Sequence, residues 1–180
     1  MPELPEVETT VRGLEPVLAG QVLSAVDIRR ADLRWPIPLD LGARLLGARV
    51  VRLGRRAKYG LIDTDRGDTM IFHLGMSGRW RIDPVEIGKH DHLVLTTGAG
   101  RHAALCDPRR FGSLDIVRTE SLDRYAAFAV MGPEPLGNRF TAAHLREALK
   151  GRKSSIKAAL LDQHVVAGLG NIYVCEALHM

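Results

Sequence analysis

Near the start of the chain, apolar positions recur at helical intervals: Val7, Val11, Leu14 and Leu18 share one face of residues 5–18. Pro5 suits a first helical turn and Gly20 a stop, with Pro16 placed to end or kink the helix early. From Gln21 to about Val117 the spacing changes. Apolar residues now come in short runs or alternate with polar ones over 22–28, 50–53, 61–62, 70–74, 93–95 and 114–117, punctuated by Gly, Asp and Pro. That pattern predicts antiparallel strands in a sandwich or barrel. Beyond Val117 helical spacing returns over 121–130, 141–150, 154–163 and 171–178, with Ser121, Thr141, Ser154 and Asn171 as N-caps. The link MGPEPLGNR, 131–139, holds prolines and glycines and marks a boundary near residue 132. An α+β chain is therefore expected, with a β domain and its N-terminal helix over 1–131 and a helical domain over 132–180. The last helix runs out at Met180, so the second domain is expected to be incomplete.

The 180 residues are 46% hydrophobic and 26% charged, a globular balance that excludes disorder and fibrous repeats. No stretch nears the roughly eighteen consecutive apolar residues of a membrane span. Glu3, Glu6, Glu8, Arg12 and Glu15 stand where a secretory signal needs an apolar core. A cytoplasmic protein with no membrane partner is expected. Lysine and arginine total 25 against 21 acids, a net +4 that leans toward a polyanionic partner. The distribution says more than the total. Acids crowd the first fifteen residues, whereas Arg49, Arg52, Arg55, Arg56 and Lys58 form a basic run, joined later by Arg109, Arg110, Arg152, Lys153 and Lys157. The only cysteines, Cys106 and Cys175, lie far apart, which excludes a disulfide framework and a zinc ribbon within this chain.

Position two is proline, small enough behind Met1 that the initiator is expected to be removed, leaving a secondary amine at Pro2. A terminal amine titrates near 8 and a lysine near 10.4, so the former is about 250-fold more often unprotonated at neutral pH. Attack by a secondary amine on a sugar C1′ gives an iminium that cannot lose an N–H proton, a durable electron sink suited to elimination. Glu3 adjoins that amine and Glu6 lies one helical turn on, so either can serve as a proton donor. Acids at a helix start also simply complement its positive end, and spacing alone favours that plainer account of Glu3, Glu6 and Glu8.

Four further motifs add candidates. HLGMSG, 73–78, presents Met76 between glycines, and DPRRFG, 107–112, presents Arg109, Arg110 and Phe111. Exposed Met or Phe is ordinary, and that plainer account is favoured for these loops, although together they have the chemistry of a wedge that fills a duplex when a nucleotide turns out. In KHDHL, 89–93, His90 and His92 lack a third metal ligand, so a solvated strand end or a phosphate contact is favoured over zinc. AGLGNIY, 167–173, is a glycine-flanked turn into a helix, either a capped turn or an anion site. It lacks the third glycine and βαβ setting of a dinucleotide fingerprint, so no nucleotide cofactor is expected.

The motifs PELPEVET, RRAKYGL, HLGMSG, KHDH, DPRRFG, GPEPL, LLDQ and GLGNIYVCE follow in one order from Pro2 to the end of the chain. In that order the chain resembles the bacterial formamidopyrimidine-DNA glycosylases. PELPEVET is the specific part, since the related endonuclease VIII branch begins PEGPE. The resemblance implies an N-terminal helix on a two-layer antiparallel β-sandwich followed by a helix-two-turns-helix domain. It implies a bifunctional glycosylase and abasic-site lyase that excises oxidised purines such as 8-oxoguanine and formamidopyrimidines from duplex DNA by Schiff-base attack and β,δ-elimination. By the same resemblance Pro2 is the nucleophile, Glu3 the proton donor, Glu6 its support and Lys58 the lysine acting in β-elimination. Met76, Arg109 and Phe111 match the trio filling the vacated space, with Arg109 facing the orphaned cytosine. His73, His90, Lys153 and Asn171 match DNA-binding positions. The family's single zinc lies in a four-cysteine finger that these residues do not include, so no metal or other cofactor is expected here. A monomer acting on duplexes with oxidised purines or abasic sites is expected; the alternative is a module that binds lesions or duplex DNA without turnover.

Overall fold

The computed structural model describes residues 1–180. Helix α1, Leu4–Leu18, buries Leu4, Val7, Val11, Leu14, Val17 and Leu18, the stripe that the 3.6-residue spacing predicts. Each such side chain contributes roughly 1.5–3 kcal/mol of transfer free energy. Pro16 does not end the helix. Its missing N–H falls in the last turn, so one hydrogen bond is lost and the helix continues to Leu18.

Eight strands follow: β1 Leu23–Ile28, β2 Val50–Arg56, β3 Tyr59–Thr64, β4 Asp68–His73, β5 Arg79–Ile82, β6 Asp91–Thr97, β7 His102–Cys106 and β8 Ser113–Arg118. They form two four-stranded antiparallel sheets, ordered β1-β6-β7-β5 and β2-β3-β4-β8. One apolar core joins them to α1, with Leu14, Leu18, Leu23, Ile62, Phe72, Leu93, Leu95 and Leu105 among its most enclosed side chains. Strands β3, β4 and β6 are buried on nearly every residue, which is why they read as runs instead of alternation. Two strands escape the apolar pattern. In β5, RWRI alternates charge with apolar residues at an edge, and in β7, HAALC is alanine-rich and short. A five-residue helix α2, Leu41–Leu45, packs Leu41 and Leu45 into the core.

The helix expected over 121–130 is instead a 3₁₀ turn, Thr119–Arg124, and a four-residue α3, Ala126–Ala129. Tyr125 between them has an extended ψ of 128°, which breaks the helix. The break lets Phe128 join Leu61 and Ile71 in a small apolar cluster, with Tyr59 and Tyr125 against its edge. After the irregular stretch 130–140 come α4 Ala142–Leu149, α5 Ile156–Leu161 and α6 Asn171–His179. Thr141 caps α4 by accepting from the His144 N–H. At α5 the cap is Ser155, one residue later than expected, and it accepts from Ala158 N. No helix is long and apolar enough to cross a membrane.

Asp68 fastens α2 and β8 to the rim of the second sheet. Its buried Oδ1 accepts from Arg44 Nη2 at 2.6 Å and from Arg118 Nη1 at 2.8 Å. The Arg44 guanidinium, with Arg118, holds the carboxyl below the usual range despite burial. A carboxyl depressed on folding stabilises the fold above its unfolded value, and that contribution is lost as pH falls through the lower folded value. Asp68→Asn is expected to cost about 3 kcal/mol at pH 7. In urea melts the gap from wild type should stay constant above about pH 5, begin to narrow near the unfolded value of about 3.9, and close only below the lower folded value, where native wild type carries the same neutral group.

Candidate active site

A buried polar contact joins the first residues of the chain to its last helix. Glu3 is 1% exposed. Its Oε2 accepts from Gly170 N at 2.8 Å and Tyr173 N at 3.3 Å, and its Oε1 from Ile172 N at 2.8 Å. These are N–H groups that the first turn of α6 cannot satisfy internally, and the positive helix end favours a carboxylate there. The expected Asn171 cap is therefore corrected: Gly170 is the N-cap residue, and Glu3 supplies the acceptor. Both glycines of the GLG turn are fixed by this approach. A Cβ on Gly170 would stand 2.3 Å from Glu3 Cδ, and one on Gly168, whose φ is +93°, 2.7 Å from Leu4 Cδ1. The backbone joins in, Leu4 N donating to Gly168 O at 3.2 Å.

Glu6 lies alongside. Its Oε2 accepts from Glu3 N at 2.9 Å and its Oε1 from the Tyr173 hydroxyl at 3.0 Å. Burial would raise its carboxyl, but those donors outweigh it and the group sits below the usual carboxylate range. Gln163 locks the turn from beneath, its Oε1 accepting from Gly168 N at 2.8 Å and its Nε2 donating to Leu169 O at 2.9 Å.

Pro2, half-buried, precedes this anchor. Met1 ahead of it lines a cavity of about 140 Å³ with Ala57, Lys58, Tyr59, His73, Met131 and Gln163. It also lines a second of about 380 Å³ with Arg34, His73, Gly75, Met76 and Phe111. Met1 and His73 are shared by both, so the chain start sits where the lysine cavity meets the two loops. Lys58 is carried on the β2–β3 turn by Ala57, which is fully buried in a left-handed conformation at φ +53°. Glu134 holds that turn: it accepts from Ala57 N at 2.6 Å, Arg55 Nη1 at 2.7 Å and Arg56 Nη1 at 3.0 Å. Burial lowers the Lys58 ammonium below the ordinary lysine value, partly opposed by the charge of Glu3. Burial, then the charges of Lys58 and Arg34, push His73 down to about 4. Its Nδ1 accepts from Gly75 N at 3.0 Å, leaving Nε2 to carry the proton of the neutral ring.

Met76 and Phe111 are 42% and 43% exposed on adjacent loops. Arg109 lies over the Phe111 ring, 4.7 Å from Cζ to centroid. The remaining candidates stand apart from the lysine cavity. His90 is half-buried before β6 while His92 is buried, with Nε2 2.9 Å from Asp107 O, so the two do not converge on a metal. Lys153 is exposed in the α4–α5 loop, and Asn171 is exposed in the first turn of α6. Cys106 is buried on β7 and Cys175 lies on α6; no three His, Cys, Asp or Glu side chains assemble, so these residues do not fit a zinc site.

Sequence reading missed three contributors. Glu134 and Gln163 stand in recognisable motifs, GPEPL and LLDQ, but their work is visible only once distant backbone N–H groups meet them. Arg34 carries a faint signal, a cation beside an exposed Trp35, and lies 5.6 Å from that ring's centroid.

Residues 1–114 match the family model of the formamidopyrimidine-DNA glycosylase N-terminal domain, and residues 131–180 that of the formamidopyrimidine-DNA glycosylase H2TH domain. The chain is 69% identical to the formamidopyrimidine-DNA glycosylase of Rhizorhabdus wittichii, covering all of this chain and 67% of that protein. It is 65% identical to that of Novosphingobium aromaticivorans, over 99% of this chain and 66% of the relative. The chain thus spans about two thirds of the length of these relatives. Among solved structures, wild-type Lactococcus lactis Fpg in complex with DNA containing N7-benzyl-Fapy-dG superimposes with a TM-score of 0.90 at 34% identity, over 98% of this chain and 66% of that one. The same enzyme with DNA containing an abasic site gives 0.88. By both domain matches and these identities, the chain belongs to the formamidopyrimidine-DNA glycosylase family.

Proposed function

We propose that this chain carries the glycosylase and abasic-site lyase chemistry of its family on oxidised purines in duplex DNA, with Pro2 as nucleophile. The observation that carries the reading is the seating of Glu3 under the start of α6, which sets the chain start at the junction of the Lys58 cavity and the Met76 and Phe111 loops. With Met1 removed, the Pro2 nitrogen attacks C1′; the N–C1′ bond forms and the glycosidic bond breaks, the departing base taking a proton. The attacking nitrogen gives up its N–H proton to the neighbouring Glu3 or Glu6 carboxylate, which passes it to O4′ as the C1′–O4′ bond opens to the iminium. The resulting iminium has no N–H to lose, so a proton leaves C2′ and the C3′–O bond breaks with phosphate departing. Lys58, the cation of this cavity, stands to offset phosphate charge, and neutral His73 offers its Nε2–H. δ-Elimination would complete strand cleavage.

Met76, Arg109 and Phe111 would fill the space left by the extruded nucleotide, and His90, Lys153 and Asn171 would hold the backbone. The reading needs no cofactor from these residues, a single chain suffices, and a cytoplasmic setting with access to the nucleoid fits it. A module that binds DNA without turnover is the weaker reading because it leaves Pro2 and the buried Lys58 without a use.

The direct test is borohydride reduction with an abasic oligonucleotide followed by peptide mapping. The adduct is expected on the tryptic peptide ending at Arg12, at Pro2; an adduct mapped to Lys58, or none, contradicts the assignment. Because burial lowers Lys58, elimination should decline at a pH below the ordinary lysine value near 10.4, and Lys58→Arg should move that decline upward. Single-turnover excision by Arg109→Ala should lose about 1–3 kcal/mol of preference for cytosine opposite the lesion. Lys153→Ala should weaken all duplexes alike and reduce the salt slope by about one.

A further inference from the structure

Residues 108–111 of the DPRRFG turn are all exposed, yet Asp107 at its base is 1% exposed and is answered only by neutral donors. Its Oδ1 accepts from the Ser77 hydroxyl at 2.8 Å, and its Oδ2 from Gly112 N at 2.8 Å. One carboxylate thus grips both loops, Ser77 following Met76 and Gly112 following Phe111. The Ser77 oxygen in turn accepts from Arg109 N at 3.4 Å. The Asp107 peptide is pinned as well, its N–H donating to His90 O at 2.9 Å and its carbonyl lying 2.9 Å from His92 Nε2. The loops also touch through their backbones: a Cβ on Gly75, at φ +62°, would meet Phe111 C at 2.3 Å. Arg110 takes a left-handed φ of +58°, which the surrounding bonds must hold. A buried carboxylate without a cation partner is costly unless hydrogen bonds satisfy it, and here those bonds are the ones that tie the two loops together.

We propose that Asp107 is the positioning residue that makes the Met76 loop and the Arg109–Phe111 loop a single rigid wedge, so that both enter the duplex together. It touches no DNA itself. This rests on the glycosylase reading above, because only a duplex substrate requires a wedge: an abasic sugar in a single strand reaches Pro2 without extrusion.

The test compares borohydride trapping rates of one abasic oligonucleotide, free and in duplex, for wild type, Asp107→Ala, Asp107→Asn and Ser77→Ala. Losing a buried, charge-assisted pair of hydrogen bonds should slow duplex trapping by Asp107→Ala about tenfold, with less than about a twofold change on the single strand. Asp107→Asn should recover the duplex rate, since its amide still offers an acceptor to Gly112 N–H and a donor to the Ser77 oxygen. Ser77→Ala, which cuts one arm and keeps Asp107, should lower the duplex-to-single-strand ratio by a smaller factor, and it decides the matter if Asp107→Ala does not fold. An unchanged ratio in the alanine variants, or an equal loss on both substrates, overturns this inference alone. No trapping of either substrate by wild type overturns the glycosylase reading and this inference with it.

Discussion

A single buried carboxylate meeting the N-terminus of a distant helix organises this molecule. Glu3 and the first turn of α6 are separated by nearly the whole chain, yet three backbone N–H groups converge on one side chain. Charge-assisted hydrogen bonds of this kind are about twice as strong as neutral ones, and the helix end adds its own field. Removing either partner leaves the other buried and unsatisfied, so the contact is kept or lost as a unit. Its direct consequence is positional: the residue before Glu3 has little freedom, and that residue is Pro2.

The lysine side of the cavity is built in the same way, by a carboxylate reaching across a seam. Glu134, from the stretch that follows the β-sandwich, takes the N–H of left-handed Ala57 and two arginines of β2. Arg55 also reaches Glu8 on α1, so helix, strand and connecting segment share one network. The site is thus a property of the junction between the two parts of the chain, and neither part holds it alone. Burial at that junction lowers Lys58 and keeps His73 neutral, which gives one cavity an amine below its usual value beside an uncharged N–H donor.

Periodicity makes α1 and six of the eight strands legible, because their apolar residues face one continuous core. It fails where burial does not set the pattern: the edge strand RWRI, the alanine-rich HAALC, and the helix broken at Tyr125 so that Phe128 can turn onto the sheet. Residue chemistry proposes Pro2 with Glu3 and Glu6, but it cannot distinguish Glu3 as a cap of its own helix from Glu3 as the acceptor for another. Spacing is local, whereas the deciding contacts span the fold. Motif order supplies the family, and with it Lys58 and the loop trio. Glu134, Gln163 and Asp107 stay silent in the sequence because each acts on backbone N–H groups whose neighbours only folding provides.

The central claim, that Glu3 lodged against α6 sets the nucleophile, is tested most directly at Gly170, where an added Cβ would fall 2.3 Å from the Glu3 carboxyl carbon and cannot be absorbed without moving it. The measurement is the rate of borohydride capture of a single-stranded abasic oligonucleotide by Gly170→Ala, with circular dichroism recorded on the same sample. The account predicts a folded protein whose capture rate falls by at least about tenfold, the loss expected when a buried charged acceptor is pulled from its donors. Capture at the wild-type rate by a folded Gly170→Ala protein would contradict it.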